Sequence, residues 1–180
     1  MHKDVLKVLL TKEQIAQRTK ELAEQINKDY AGKSVLMICI LRGAVLFFAD
    51  LARLLDVDVR LDFMAVSSYG AGTSTSGEVR IVKDVSQPIE GLHVILVEDI
   101  IDTGHTLKYL KRLMESRNPA SLKICALLDK PSRRETDLQG DYVGFEVPNE
   151  FVVGFGLDYA ERYRNLPDVC VLKPEIYGGK

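Results

Sequence analysis

The 180-residue sequence predicts an α/β fold, a doubly wound and mostly parallel sheet. Three observations carry that prediction. Val35–Leu41 is a continuous apolar run, as expected of a parallel strand covered on both faces, and Leu92–Val97 and Leu122–Leu128 read as two more buried strands. Segments of helical periodicity separate them, giving the β-α-β alternation of an open α/β sheet. Charged residues stand where these strands end, at Arg42, at the Glu98–Asp99 pair and at Lys130. Sheets of this kind bind ligands at the carboxyl ends of their strands.

In chain order, MHKDVLKVLL is too short and too charged for a signal peptide. Thr11-Lys12-Glu13-Gln14 reads as a capping box, and Ile15, Leu22 and Ile26 then recur at helical spacing until Gly32. After Val35–Leu41, residues Gly43–Leu55 read as a helix with Val45, Phe48, Ala52 and Leu55 on one stripe. Val59–Ser67 and Val79–Asp84 alternate as strands. Between them, SYGAGTSTSGE is rich in Gly, Ser and Thr and offers nothing to bury, the composition of a lid. Its Gly70-x-Gly72 is followed by Thr75 where a dinucleotide fingerprint needs glycine. Leu92–Val97 leads into a helix from about Thr106 to Arg117, which Asn118-Pro119 ends. After Leu122–Leu128, the short runs Tyr142–Val147, Phe151–Phe155 and Val169–Leu172 are expected as strands that finish the sheet.

A chain of this length forms one domain and buries enough surface to fold without disulfide or structural metal. An apolar fraction of 46% and a charged fraction of 28% are those of an ordinary globule. A net charge of −2 disfavours broad nucleic-acid or anionic-membrane binding. Cys39, Cys125 and Cys170 lie inside apolar stretches and form no metal-binding spacing. No apolar run approaches the ~20 residues that cross a bilayer. The expectation is a cytoplasmic protein with neither nucleic-acid nor membrane partner.

The chemistry concentrates in residues 94–107, VILVEDIIDTGHTL. Backbone N–H groups from Asp102 to Thr106, where a turn enters a helix, form a cradle for an anion, and the helix dipole adds to it. Thr103 and Thr106 can add hydroxyl donors. No G-x-x-x-x-G-K-[ST] is present, so the cradle suits one terminal phosphate. The crowded acids must then serve another part of the ligand. Glu98 and Asp99 can accept from a sugar diol or bind Mg²⁺, which takes one or two carboxylates plus substrate oxygens. Asp102 can act as a base towards an N–H.

This stretch resembles the phosphoribosyl-pyrophosphate (PRPP) signature of the type I phosphoribosyltransferases, in the EDIIDTG form of the hypoxanthine-guanine phosphoribosyltransferases. The resemblance runs from about Ser34 to Leu172 and includes LRG (41–43), SSYG (67–70), LLDK (127–130), FVVGFGLDY (151–159) and Arg164. It implies that family's fold, with a small hood subdomain beside the main sheet, one domain over residues 1–180 and a flexible loop at about 68–77 that includes Ser68 and Tyr69.

The resemblance also implies roles. Thr103, Gly104, His105 and Thr106 hold the 5′-phosphate of PRPP. Glu98 and Asp99 face the ribose hydroxyls directly or through Mg²⁺, and Asp158 is a further metal ligand beside the base. Asp102 takes the N7 proton of the purine. Arg42, Gly43 and Arg164 meet pyrophosphate, with the Leu41–Arg42 peptide bond often cis. Lys130 donates to the exocyclic O6, Phe151 stacks on the base and the Val152 backbone reads its edge. Relatives carry Lys where Arg42 and His105 stand. Taken alone, Lys130 would be an ordinary surface lysine and Phe151 a core aromatic. The implied activity is purine salvage from PRPP and a 6-oxopurine by a homodimer or homotetramer. The second reading is a non-catalytic PRPP-sensing regulator of the same fold. A phosphoacceptor receiver domain is set aside, because here the acids share one loop.

Overall fold

A computed structural model describes residues 2–69 and 78–178. Its elements are β1 (Val5–Leu10), α1 (Lys12–Asp29), β2 (Ser34–Leu41), α2 (Val45–Ala52), β3 (Asp58–Tyr69), β4 (Glu78–Lys83), β5 (His93–Ile101), α3 (His105–Glu115), β6 (Ser121–Asp129), β7 (Tyr142–Glu146), β8 (Val152–Val153), β9 (Val169–Leu172) and α4 (Pro174–Tyr177). The main sheet runs β4-β3-β2-β5-β6-β7 and is parallel except for β4, which returns antiparallel to β3.

The continuous apolar runs behave as parallel strands because both faces are covered. Met37 and Cys39 of β2 point into a core with Ile15, Leu22 and Ile26 of α1 and with Phe47 and Leu51 of α2. Leu36, Ile38 and Ile40 point the other way, against Leu107, Leu110 and Met114 of α3. Each such fully buried side chain contributes about 1.5–3 kcal/mol of transfer free energy. The capping box forms as expected: Thr11 Oγ1 accepts from Gln14 N (3.3 Å) and Gln14 Oε1 from Thr11 N (2.9 Å).

Three expectations are corrected. Val5–Leu10 is a strand, and with β8 and β9 it forms a separate antiparallel sheet in the order β1-β9-β8, so Val152–Val153 and Val169–Leu172 do not finish the main sheet; only β7 does. This second sheet is the hood, with its own core of Val5, Val153, Tyr163, Cys170 and Leu172. The buried stripe of α2 is Phe47, Phe48 and Leu51, while Val45 lies exposed: Asp50 alone breaks an otherwise apolar helix, so periodicity could not choose its inner face. The strand beginning near Leu92 extends through Ile101, and therefore carries Glu98 and Asp99 on its last turns of pleat.

Of the loop expected at 68–77, Ser68 and Tyr69 close β3, and residues 70–77 lie outside the described residues. Among the described residues no helix is long and apolar enough to cross a membrane.

Candidate active site

The carboxyl ends of β2, β5 and β6 converge on one side of the main sheet. β2 pairs with β5 only as far as Cys39–Val97, whereas β6 pairs with β5 through Ile101–Asp129. The last residues of β5 are thus free on the β2 side, and the Arg42–Gly43 loop fills that opening. A Cβ on Gly43 would collide with the Asp99 carboxylate, and one on Gly156 (φ 99°) would collide with the Gly43 carbonyl. Glycine at both positions lets the loop lie between the acid pair and the hood. The Leu41–Arg42 peptide bond is cis.

A cavity of about 210 Å³ opens over the turn from Glu98 to Leu107. Gly104 caps α3 in the left-handed conformation (φ 91°). Among the described residues, no backbone N–H from Thr103 to Leu107 meets a protein acceptor, so the cradle presents unused donors. Glu98 Oε1 accepts from Asp99 N (3.0 Å), and Asp99 Oδ1 from Ile100 N (2.7 Å). Burial, and then the neighbouring Asp99 charge, hold the Glu98 carboxyl well above the usual carboxylate range. Burial also raises Asp99, against the hydrogen bond from Glu98 and the attraction of Arg164. Among the described residues no three His, Cys, Asp or Glu side chains converge as a metal cage. The acid pair nevertheless fits Mg²⁺, which takes one or two carboxylates and completes its shell from substrate and water. His105 turns outward to Glu135 (2.8 Å), leaving the backbone to form the cradle.

A second cavity, of about 480 Å³, adjoins the first and shares Ile100 and Asp102 with it. Lys130 is buried in its wall, and Nζ donates to the Glu150 carbonyl at 2.8 Å. Burial lowers the Lys130 pKa, while Asp102 nearby works against that shift. Phe151 is held by two rings: Tyr177 stacks on it (4.5 Å between centroids, 20° between planes) and Tyr159 meets it edge-on (5.5 Å, 89°). Val152 begins the hood strand β8 beside it. Asp158 pairs with Arg164 Nη2 (3.0 Å) and accepts from Glu161 N (2.8 Å), away from Glu98 and Asp99. Arg164 Nη1 donates to the Gly156 carbonyl at 2.8 Å, and Arg42 pairs with Glu161 at 2.6 Å.

Sequence reasoning missed several residues here. Arg134 fastens the Asp102 turn, donating to the Asp102 carbonyl at 3.1 Å and also to Leu138 O and the Asp129 carboxylate. Arg133 pairs with the Asp102 carboxylate at 3.0 Å. Ile100 supplies apolar wall to both cavities. Its signal was its place inside the motif, whereas Tyr177 carries none until the chain end folds back.

Residues 6–160 match the family model of the phosphoribosyl transferase domain. The chain is 56% identical over 177 residues to a hypoxanthine-guanine phosphoribosyltransferase of Streptococcus thermophilus, covering 98% of each chain. The crystal structure of a hypoxanthine phosphoribosyltransferase from Staphylococcus aureus superposes with a TM-score of 0.95 at 50% identity, covering 99% of this chain and 97% of that one. A hypoxanthine-guanine phosphoribosyltransferase from Bacillus anthracis gives a TM-score of 0.88 at 44% identity, covering 94% and 98%. The chain belongs to the phosphoribosyltransferase family.

Proposed function

We propose that the protein is a purine-salvage enzyme that transfers the 5-phosphoribosyl group of PRPP to hypoxanthine or guanine, giving the nucleoside 5′-monophosphate and pyrophosphate. One observation carries this reading: two adjoining cavities share Asp102, one walled by free N–H donors and an acid pair, the other by a buried lysine and a held aromatic ring. Near-identical length and 56% identity with a transferase weigh against a non-catalytic regulator.

In this reading the Thr103–Thr106 cradle holds the 5′-phosphate. Glu98 and Asp99 face the ribose hydroxyls and would hold one Mg²⁺, and Asp158, apart from them, would serve a second. When bound, the ion supplies positive charge to the pyrophosphate oxygens. The base lies against Phe151, with Val152 at its edge and Lys130 donating to O6. Asp102, between the cavities, accepts the N7 proton as the new C–N bond forms. The ribose carbon is oxocarbenium-like as the bond to pyrophosphate breaks, and nearby carboxylates stabilise it. Arg42, Gly43 and Arg164 receive the departing pyrophosphate. The working form is a homodimer or homotetramer, supported by exposed Val45 and Leu46 of α2 and Leu61 of β3.

The test is an assay of the purified protein with PRPP, Mg²⁺ and each of four purines. Hypoxanthine and guanine should react. Adenine should be poorer by roughly 10⁴–10⁵ in kcat/KM, because its 6-amino group offers no acceptor to the Lys130 ammonium where O6 would. Chelation should abolish turnover and Mg²⁺ restore it. Equal use of adenine and guanine would refute the O6 assignment, and full activity without divalent ion would refute the metal assignment.

A further inference from the structure

Glu161 sits where a transferase of this kind has no evident use for an acid. Arg42 and Arg164, the two arginines assigned above to pyrophosphate, converge on its carboxylate. Oε2 lies 2.6 Å from Arg42 Nη1, and Oε1 lies 3.5 Å from Arg164 Nη2. The two arginines come from opposite parts of the fold, one from the loop after β2 and one from the hood. Glu161 is the side chain that links them.

Its backbone is arranged to present it. Tyr159 and Arg162 exchange both backbone hydrogen bonds (3.2 and 3.0 Å), leaving Ala160 and Glu161 as a two-residue tip. Both tip residues have positive φ, 50° and 62°, the geometry of a tight turn that ordinarily takes Asn or Gly. The Asp158 carboxylate accepts from Glu161 N at 2.8 Å and fixes the tip. An acid carried on such a turn, touching both cations, has the charge and the two-oxygen reach of a phosphoryl group.

We propose that Glu161 is an internal stand-in for pyrophosphate: it holds Arg42 and Arg164 together in the free protein and is displaced when the pyrophosphate group of PRPP arrives. The inference rests on the assignment of those arginines to pyrophosphate. It makes Glu161 a positioning residue that occupies the two cations in the free protein and competes with the ligand for them. Both Arg42 and Glu161 are largely exposed, so the competition is modest and weakens with salt.

The test compares wild type with Glu161→Gln and Glu161→Asp, measuring binding of inorganic pyrophosphate with Mg²⁺ by calorimetry, together with KM for PRPP and for hypoxanthine. Aspartate keeps the charge but is one methylene too short to span both arginines. Both variants should bind pyrophosphate about two- to fivefold more tightly, the range of an exposed ion pair. KM for PRPP should fall in parallel, KM for hypoxanthine should stay, and the gain should shrink as salt rises. Unchanged or weaker binding in Glu161→Gln overturns the inference. So does wild-type binding in Glu161→Asp, which would leave only diffuse charge repulsion. Arg42→Gln and Arg164→Gln serve as controls. If they weaken pyrophosphate binding while Glu161→Gln does not tighten it, the inference alone fails. If they leave it unchanged, the assignment of the arginines fails and the inference falls with it.

Discussion

The two cavities are built in opposite ways. The phosphate-side cavity is lined by one continuous stretch, Glu98–Leu107, where a strand turns into a helix. The base-side cavity gathers the end of β5, the Lys130–Arg133 turn, the segment Asn149–Val152, the Leu157–Asp158 loop and the terminal α4. A cavity made by one turn is shaped by local backbone geometry. An assembled one depends on how the hood packs against the main sheet. The first should therefore fail through strain and the second through loosened packing, and each kind of failure has its own kinetic signature.

The largest effect falls on the residue common to both. Asp102 belongs to the contiguous turn yet faces the assembled cavity, and Arg134 anchors its carbonyl independently of its carboxylate. Asp102→Asn should preserve the fold and cut kcat by about 10²–10⁴, the scale of general acid–base catalysis. KM for PRPP should change little, since the cradle is backbone. A near-normal kcat in steady-state assays would break the claim that the two cavities meet at this carboxylate.

A second substitution separates the cavities. Gly104 holds φ 91°, and a Cβ there would collide with Thr136 Oγ1. An L-residue in the left-handed region costs about 1–2 kcal/mol, and 1.4 kcal/mol is a factor of ten. Gly104→Ala should raise KM for PRPP about five- to thirtyfold while KM for hypoxanthine stays within about twofold. Equal losses for both substrates would show that the cradle is not a separate local unit.

The same contrast explains what could be read from the chain beforehand. The contiguous cradle was legible because acid, threonine and glycine spacing is itself the geometry there. The three central parallel strands were legible because burial on both faces keeps their middles apolar, with His93 and Lys123 only near the starts of β5 and β6. The hood was not. Val5–Leu10, apolar but for Lys7, shows no alternation to read, because its pairing with β9 shifts register twice and leaves Leu6 and Val8 exposed. The inner face of α2 was hidden because only Asp50 interrupts an otherwise apolar helix. Arg134 and Glu161 act through partners about 30 and 119 residues away in sequence, and no spacing rule reaches that far. For Lys130 and Phe151 the residues alone favoured surface and core; resemblance named the roles, and burial of Lys130 beside Asp102 supports them.

The smallest effect tests the assembled cavity at its most distant contributor. Tyr177 lies on a four-residue helix at the end of the chain, yet its ring lies 4.5 Å from that of Phe151 at 20°. An aromatic pair of this kind contributes about 0.5–1.5 kcal/mol beyond area burial, or roughly two- to tenfold in an equilibrium. If Tyr177 keeps Phe151 ready for the base, Tyr177→Ala should raise KM for hypoxanthine and guanine within that range. KM for PRPP and kcat should stay near wild type, because the cradle belongs to the other cavity and Arg133 and Arg134, not Tyr177, hold the Asp102 turn. Tyr177→Phe keeps the ring and should restore the wild-type KM, since among the described residues the hydroxyl makes no hydrogen bond within the protein. A parallel loss in both substrates would point instead to general loosening of the hood, whose core Tyr177 also touches. An unchanged KM for the base would remove the chain terminus from the site, and the assembled cavity would then be closed by the main sheet, the Lys130 turn and β8 alone.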